Sequence, residues 1–168
     1  MCGRYSLAAS PEKFQQDLPL EAPVAPKPSY NIAPTHRSWV ISNDQPGQLQ
    51  QMQWGLLPHW SRDGRNQGRL INARREGIAG KPSFRLPVRR HRCLVPADSF
   101  YEWRREGQQK IPYRILLKSE RLMLMAGIFD IWTDGKQEIR SYSIITTDAN
   151  REVARLHNRM PVLLLTQE

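Results

Sequence analysis

The second half of the chain limits the fold most. Short apolar runs at residues 92–96, 100–104, 112–117, 122–130 and 139–147 follow one another and read as strands. Gly107 and the Asp134-Gly135 pair stand between consecutive runs and supply the backbone freedom that tight hairpins need. Strands joined this way run antiparallel, and several in succession must curve or close to bury one face. The expectation is a single α+β domain over residues 1–168. It is mainly antiparallel, with a strongly curved or barrel-like β-sheet and a few short helices.

The first half adds smaller pieces. Residues 3–8 read as a short strand with Tyr5 and Leu7 on one face. Ser10-Pro11-Glu12 starts a helix, with a Ser cap, Pro at the first helical position and an acid behind it, which stops by Pro19. Residues 19–28 are proline-rich and predict an extended loop. A strand is expected at 38–42, a turn over 43–47 and its hairpin partner over 48–57. A polar loop follows over 61–69, then a strand at 70–73 that turns into a short helix at Arg74-Arg75-Glu76. Asp148 is placed to cap a helix over 149–156, and 161–165 forms one last apolar run.

Composition excludes several function classes. An apolar fraction of 39% provides a real core. No apolar stretch approaches the ~20 residues of a membrane span, and no signal peptide is visible. Two cysteines, Cys2 and Cys93, make no disulfide framework, so a cytoplasmic, reducing location without membrane partners is expected. The formal net charge of +9 rests on 19 Arg and 6 Lys. Arginine's planar fork suits phosphate oxygens and stacks on bases, which points to nucleic acid.

The amino terminus carries the unusual chemistry. Loss of Met1 would leave Cys2 with a free α-amine beside its thiol. The amine forms a Schiff base with an aldehyde, and the thiol closes it to a five-membered thiazolidine. An internal cysteine lacks the amine. About 14% of an α-amine with pKa near 7.8 is neutral at pH 7, against about 0.04% of a lysine, so the α-amine is the better first nucleophile.

Three polar residues interrupt apolar or aromatic surroundings: Asn72, Glu102 between Tyr101 and Trp103, and His157. Partial desolvation of a glutamate favours its protonated form and suits proton transfer, although strand alternation could equally turn Glu102 to solvent. A histidine moves protons near neutral pH, although His157 could simply end a helix. Trp54, Trp60, Tyr101 and Trp103 interleave with Arg4, Arg74, Arg104 and Arg159, which suits phosphates and exposed bases of single-stranded nucleic acid. Trp54 stands open between that role and the core. His36, His59, His91 and Cys93 show no metal-ligand spacing, and no metal or cofactor is expected.

Several segments together carry a resemblance. Met1-Cys2-Gly3-Arg4, Tyr30-Asn31-Ile32-Ala33-Pro34, Trp54-Gly55-Leu56 to Trp60, Asn72-Ala73-Arg74 with Glu76, Phe100-Tyr101-Glu102-Trp103 and His157-Asn158-Arg159-Met160-Pro161 occur in order. They resemble the SRAP (SOS-response-associated peptidase) family over almost the whole chain. The resemblance implies recognition of abasic sites in single-stranded DNA and a covalent thiazolidine cross-link through Cys2, formed by a monomer in DNA repair. It implies Cys2 as nucleophile, Asn72 orienting the opened sugar, Glu102 assisting ring opening or proton transfer, and His157 as acid/base. Arg4, Arg74 and Arg159 would hold phosphates, while Asn31, Pro34, Trp54, Trp60 and Trp103 would shape the DNA channel. Met1 would leave by self-cleavage or through an aminopeptidase.

Two features depart from the family pattern. That pattern usually continues for some tens of residues beyond Glu168, so lost core burial is expected. Asn158 stands where Asp often follows the histidine. Two other readings remain: a non-covalent reader of modified or single-stranded DNA, and an amide hydrolase with an amino-terminal cysteine. The second fits poorly with a short, sheet-rich chain.

Overall fold

The computed structural model describes residues 2–18, 20, 26–64 and 69–164. In chain order the elements are β1 (Tyr5–Leu7), α1 (Pro11–Asp17), β2 (Ser29–Ile32), β3 (Arg37–Ser42), β4 (Gln45–Trp54), β5 (Asn72–Arg74), α2 (Pro82–Arg90), β6 (Arg92–Ala97), β7 (Ser99–Glu106), β8 (Gln109–Ile115), β9 (Met123–Thr133), β10 (Glu138–Asp148), β11 (Arg159–Pro161) and β12 (Leu163–Leu164). Single 3-10 segments lie at Arg75–Gly80 and Val153–Arg155.

Five strands form a closed barrel in the order β10-β4-β3-β6-β9, with β9 pairing back onto β10. Closure depends on β10, which pairs antiparallel with β9 over residues 138–144 and parallel with β4 at Ser141 and Tyr142. Closing the ring removes sheet edges that would otherwise need covering. Beyond Tyr142 the same strand pairs with β5 and then β11, so β10 connects the barrel to Asn72 and to the residues after His157. A second sheet, ordered β2-β1-β7-β8, shares the core through Tyr5 and Phe100, both 0% exposed. Helix α2 packs Phe84 and Val88 onto Leu56, Ala73 and Ile128 outside the barrel.

The barrel-like expectation is met, and so are the five strands of the second half. The hairpin glycines have the positive φ that their turns require, 60° at Gly107 and 85° at Gly135. Ser10 caps α1 by accepting the Lys13 amide at 3.2 Å.

Three local expectations change. The turn expected over 43–47 contracts to Asn43 and Asp44, because a register irregularity between Val40 and Ser42 lets Pro46 and Gly47 join β4. Asp148 ends β10 and caps nothing. The Val153 amide is held by the Asn150 side chain at 2.9 Å, and only a 3-10 segment forms where a helix over 149–156 was expected. Helix α2 was not anticipated, because Pro87 interrupts its sequence, although Pro82 at its start fits a first-turn proline. Most of the expected loop over 19–28, residues 65–68 of the polar loop, Leu165 of the last apolar run and Met1 lie outside the described residues.

Candidate active site

Cys2 lies three residues before Tyr5, the first residue of β1, a strand that lies between β2 and β7 and is therefore held on both edges. The Asp98 carboxylate fixes the strand further by accepting from the Ser6 hydroxyl and the Ala8 amide. Cys2 itself is 0% exposed. Its thiol lies 3.7 Å from the Arg4 carbonyl, to which it can donate. Burial, then the negative charge of Glu102, push this thiol up to about 12. At neutral pH the sulfur therefore carries its proton.

Asn72 reaches Cys2 from the other side of the core. Its Nδ2 donates to the Cys2 carbonyl at 3.0 Å, and its buried Oδ1 accepts no hydrogen bond among the described residues. Trp54 places that asparagine. The indole N–H donates to the carbonyl of Ile71, the residue before Asn72, at 3.0 Å. The ring is fully buried and meets Tyr5 edge-on at 5.2 Å. Trp54 is thus a core residue, which corrects its expected place in a DNA channel. Burying so large a ring offers more than stacking at a wet surface would.

Glu102 is 3% exposed, so the solvent-facing alternative is overturned. Alternation along β7 is kept, but the faces are assigned the other way. Tyr5 pairs with Phe100, and the Tyr101 amide donates to the Arg4 carbonyl at 2.9 Å. Phe100 and Glu102 therefore share the inward face, and Trp103 turns outward at 37% exposure.

Glu102 also lines a cleft of about 420 Å³ with Trp103, Arg105, Lys110 and His157. It is the residue common to this cleft and to the electrostatics of Cys2. His157 follows the 3-10 segment, with its amide bonded to the Val153 carbonyl at 3.0 Å. Its Nδ1 accepts the Arg159 amide at 3.0 Å, so a neutral ring carries its proton on Nε2.

Arg159 is 7% exposed, and its guanidinium is clamped rather than presented to solvent. It donates to Glu76 at 2.9 and 3.0 Å, to Asp148 at 2.7 Å and to the Thr146 carbonyl at 2.7 Å. The guanidinium holds the Glu76 carboxyl below its ordinary range. This clamp fixes the backbone that orients His157.

Arg74 and Asn31 are exposed, and Arg4 is half-buried, donating to the Gly3 carbonyl at 2.7 Å. Pro34 sits in a turn where Thr35 takes φ 75° and its amide bonds the Trp54 carbonyl at 2.8 Å. Trp60 is 54% exposed and lines a different cleft.

Arg105 and Lys110 were missed in the sequence. They face each other across the β7–β8 hairpin, both exposed. Like charges directly opposite are destabilising, so their pairing beside Glu102 and His157 favours an anion between them. The visible signal was a pair of cations flanking the Gly107 turn, two residues before the glycine and three after it. Among the described residues, no three His, Cys, Asp or Glu side chains gather to hold a metal ion.

The fold and site define a class: a closed barrel with a second sheet, a buried cysteine just ahead of the amino-terminal strand, an asparagine bonded to that cysteine's carbonyl, and a cleft lined by a glutamate and a histidine. The chain belongs to the family described as SOS response associated peptidase (SRAP), whose model matches residues 1–168. Abasic site processing protein YoaM of Bacillus subtilis (strain 168) is 41% identical over 171 residues, covering 98% of this chain and 75% of that protein. Abasic site processing protein YoqW of the same organism is 40% identical over 98% of this chain and 76% of its own length. An X-ray structure of a protein from Bacteroides thetaiotaomicron superposes with a TM-score of 0.88 at 34% identity, covering 98% of this chain and 77% of that one. Among the described residues, no helix is long and apolar enough to cross a membrane.

Proposed function

We propose that this chain processes abasic sites in DNA repair, by forming a covalent thiazolidine with the lesion in single-stranded DNA through Cys2. The relatives named abasic site processing proteins support the coarser part. The observation that carries the finer part is the convergence on Cys2 of Asn72, by a 3.0 Å hydrogen bond, and of Glu102, by charge and by the cleft it shares with His157.

The chemistry starts with hydrolysis of the Met1–Cys2 peptide bond, by self-cleavage or by an aminopeptidase, which frees the α-amine. An abasic sugar opens to an aldehyde. The amine adds to the carbonyl carbon, and loss of water gives the imine. The thiol then adds across the C=N bond, forming the C–S bond while its proton passes to nitrogen.

Burial of the sulfur, which raises the thiol while Met1 is in place, supports one order of these steps. A sulfur protonated at neutral pH is a poor first nucleophile, so the amine attacks first and the thiol closes the ring. Glu102 takes and returns protons during opening of the sugar and closure of the ring. His157 serves as acid/base for the imine. Asn72 offers its unused Oδ1 to the opened sugar or to the freed amine. Arg105 and Lys110 hold phosphate oxygens beside the lesion, with Arg4 and Arg74 further along the strand. Trp103 stacks on a neighbouring base. Arg159 positions His157 through its clamp.

The test is a denaturing gel after incubation with single-stranded DNA carrying one abasic site, together with intact-protein mass measurement. The expected result is a shifted band, a protein lacking Met1, and an adduct mass lower by one water than the sum of its parts. Cys2→Ala loses the band. A band that survives Cys2→Ala overturns the assignment. Salt-sensitive binding with no adduct under any condition would favour the non-covalent reader instead.

A further inference from the structure

A second basic surface lies away from the Cys2 cleft. Trp60, Pro82, Arg85, Leu86, Arg89 and Arg90 line an open cleft of about 470 Å³. The three arginines are exposed, and none of them forms an ion pair among the described residues. Helix α2 has no acidic residue anywhere along its length. The helix dipole accounts for cations in the last turn only, which covers Arg89 and Arg90 but not Arg85. Ordinary solubility does not require three cations around one exposed indole.

Trp60 is held at this cleft rather than hanging loose. The neighbouring His59 brings both its amide and its Nδ1 to within 2.9 Å of the buried Asp130 carboxylate. On the other side, the Ser61 carbonyl accepts the Trp132 indole N–H at 2.7 Å. A ring fixed at 54% exposure in one cleft with unpaired arginines is pre-organised for a flat, anionic partner.

The cleft connects to the reactive one through the Arg75–Gly80 segment. That segment packs on α2 and carries Glu76, the partner of the Arg159 clamp that orients His157.

We propose that the Trp60–α2 cleft grips the sugar–phosphate backbone of DNA flanking the reactive position, with its arginines on phosphates and Trp60 against a base. This rests on the reading of the chain as a DNA-binding protein, but not on the covalent step. The charge complementarity selects a polyanion, and the indole beside the arginines favours nucleic acid over an acidic protein.

The experiment compares the wild type with the triple variant Arg85→Gln/Arg89→Gln/Arg90→Gln. Equilibrium binding is measured to a long lesion-free single strand and to an oligonucleotide only a few nucleotides long, across a salt series. Thermal melting checks that the surface variant folds.

Three lost phosphate contacts predict about tenfold or weaker binding to the long strand, and a slope of log K against log salt shallower by about 2. Binding to the short oligonucleotide is unchanged. The matching Arg→Lys triple keeps the wild-type slope. Unchanged affinity and slope for the Gln triple on the long strand would overturn the proposal, as would an equal loss on both lengths. Wild-type protein that binds salt-sensitively yet never cross-links an abasic site would sink the covalent reading and leave this one intact.

Discussion

Cys2 and Cys93 are both free and both buried, and burial raises both thiols above their ordinary value. Their surroundings otherwise share little. Cys2 stands three residues ahead of the inner strand β1, with an asparagine amide on its carbonyl and a glutamate charge acting on its sulfur. Cys93 sits within the barrel wall on β6, opposite Gly127 of β9. It borders an apolar cavity of about 430 Å³ lined by Ile41, Leu94 and Ile128 among others. Burial alone therefore does not mark a working thiol. Polar groups that converge on it do, together with a backbone position that can acquire an α-amine. Only Cys2 has both.

The strongest way to break this contrast is to remove the convergent group while keeping its shape. Glu102→Gln should lower the rate of cross-linking about a hundredfold or more, the usual worth of a positioned proton-transfer group. Single-turnover gels over a pH series read this directly. Cys93→Ala should leave the rate as it is. Equal rates for Glu102→Gln and wild type would mean that the carboxylate does no proton transfer and that its burial needs another explanation.

The next largest effect belongs to the other cysteine and concerns stability. A Cβ placed on Gly127 would stand 2.8 Å from the Cys93 sulfur and 3.2 Å from the Ser143 carbonyl oxygen. Gly127→Ala should therefore cost about 1–3 kcal/mol by overpacking. Part of that cost should return in the double variant with Cys93→Ala, since the two side chains touch. Denaturant unfolding measures both. Cross-linking per folded molecule should not change. An unaltered melt would mean that the barrel wall yields there, and that Cys93 is less tightly packed than its contacts indicate.

The sequence made much of the scaffold legible, and less of how side chains face. Runs between Gly107 and Asp134-Gly135 gave the hairpins because φ > 0 is a local demand that local residue types reveal. Barrel closure was legible only as curvature, since the parallel pairing of β10 with β4 joins segments distant in sequence. Glu102 shows the harder limit. Alternation identifies two faces of a strand without saying which one is covered, and the covering came from β1 and the barrel core. Trp54 and Trp60 lie six residues apart in one apolar-aromatic stretch, yet one is 0% and the other 54% exposed. Gly55, with φ 115°, turns the chain between them, and no periodicity reports such a turn. Arg159 looked like a surface cation because its partners, Glu76 and Asp148, come from other elements.

The smallest effect is also the sharpest test of how Glu102 acts, because its sign opposes that of the largest. The Glu102 charge is the second cause of the raised Cys2 thiol, after burial. Glu102→Gln removes a negative charge that disfavours the thiolate, so the thiol should titrate lower, though still above its ordinary value because burial remains. At fixed pH below about 12, more thiolate is then present, and alkylation of Cys2 in the folded protein should quicken. Mass-resolved alkylation against pH, with Cys93→Ala as background, measures it. Slower cross-linking with faster alkylation is the signature of a carboxylate that moves protons. If both rates fell together, Glu102 would be shaping the site rather than serving its chemistry, and the contrast between the two cysteines would rest on Asn72 and the free α-amine alone.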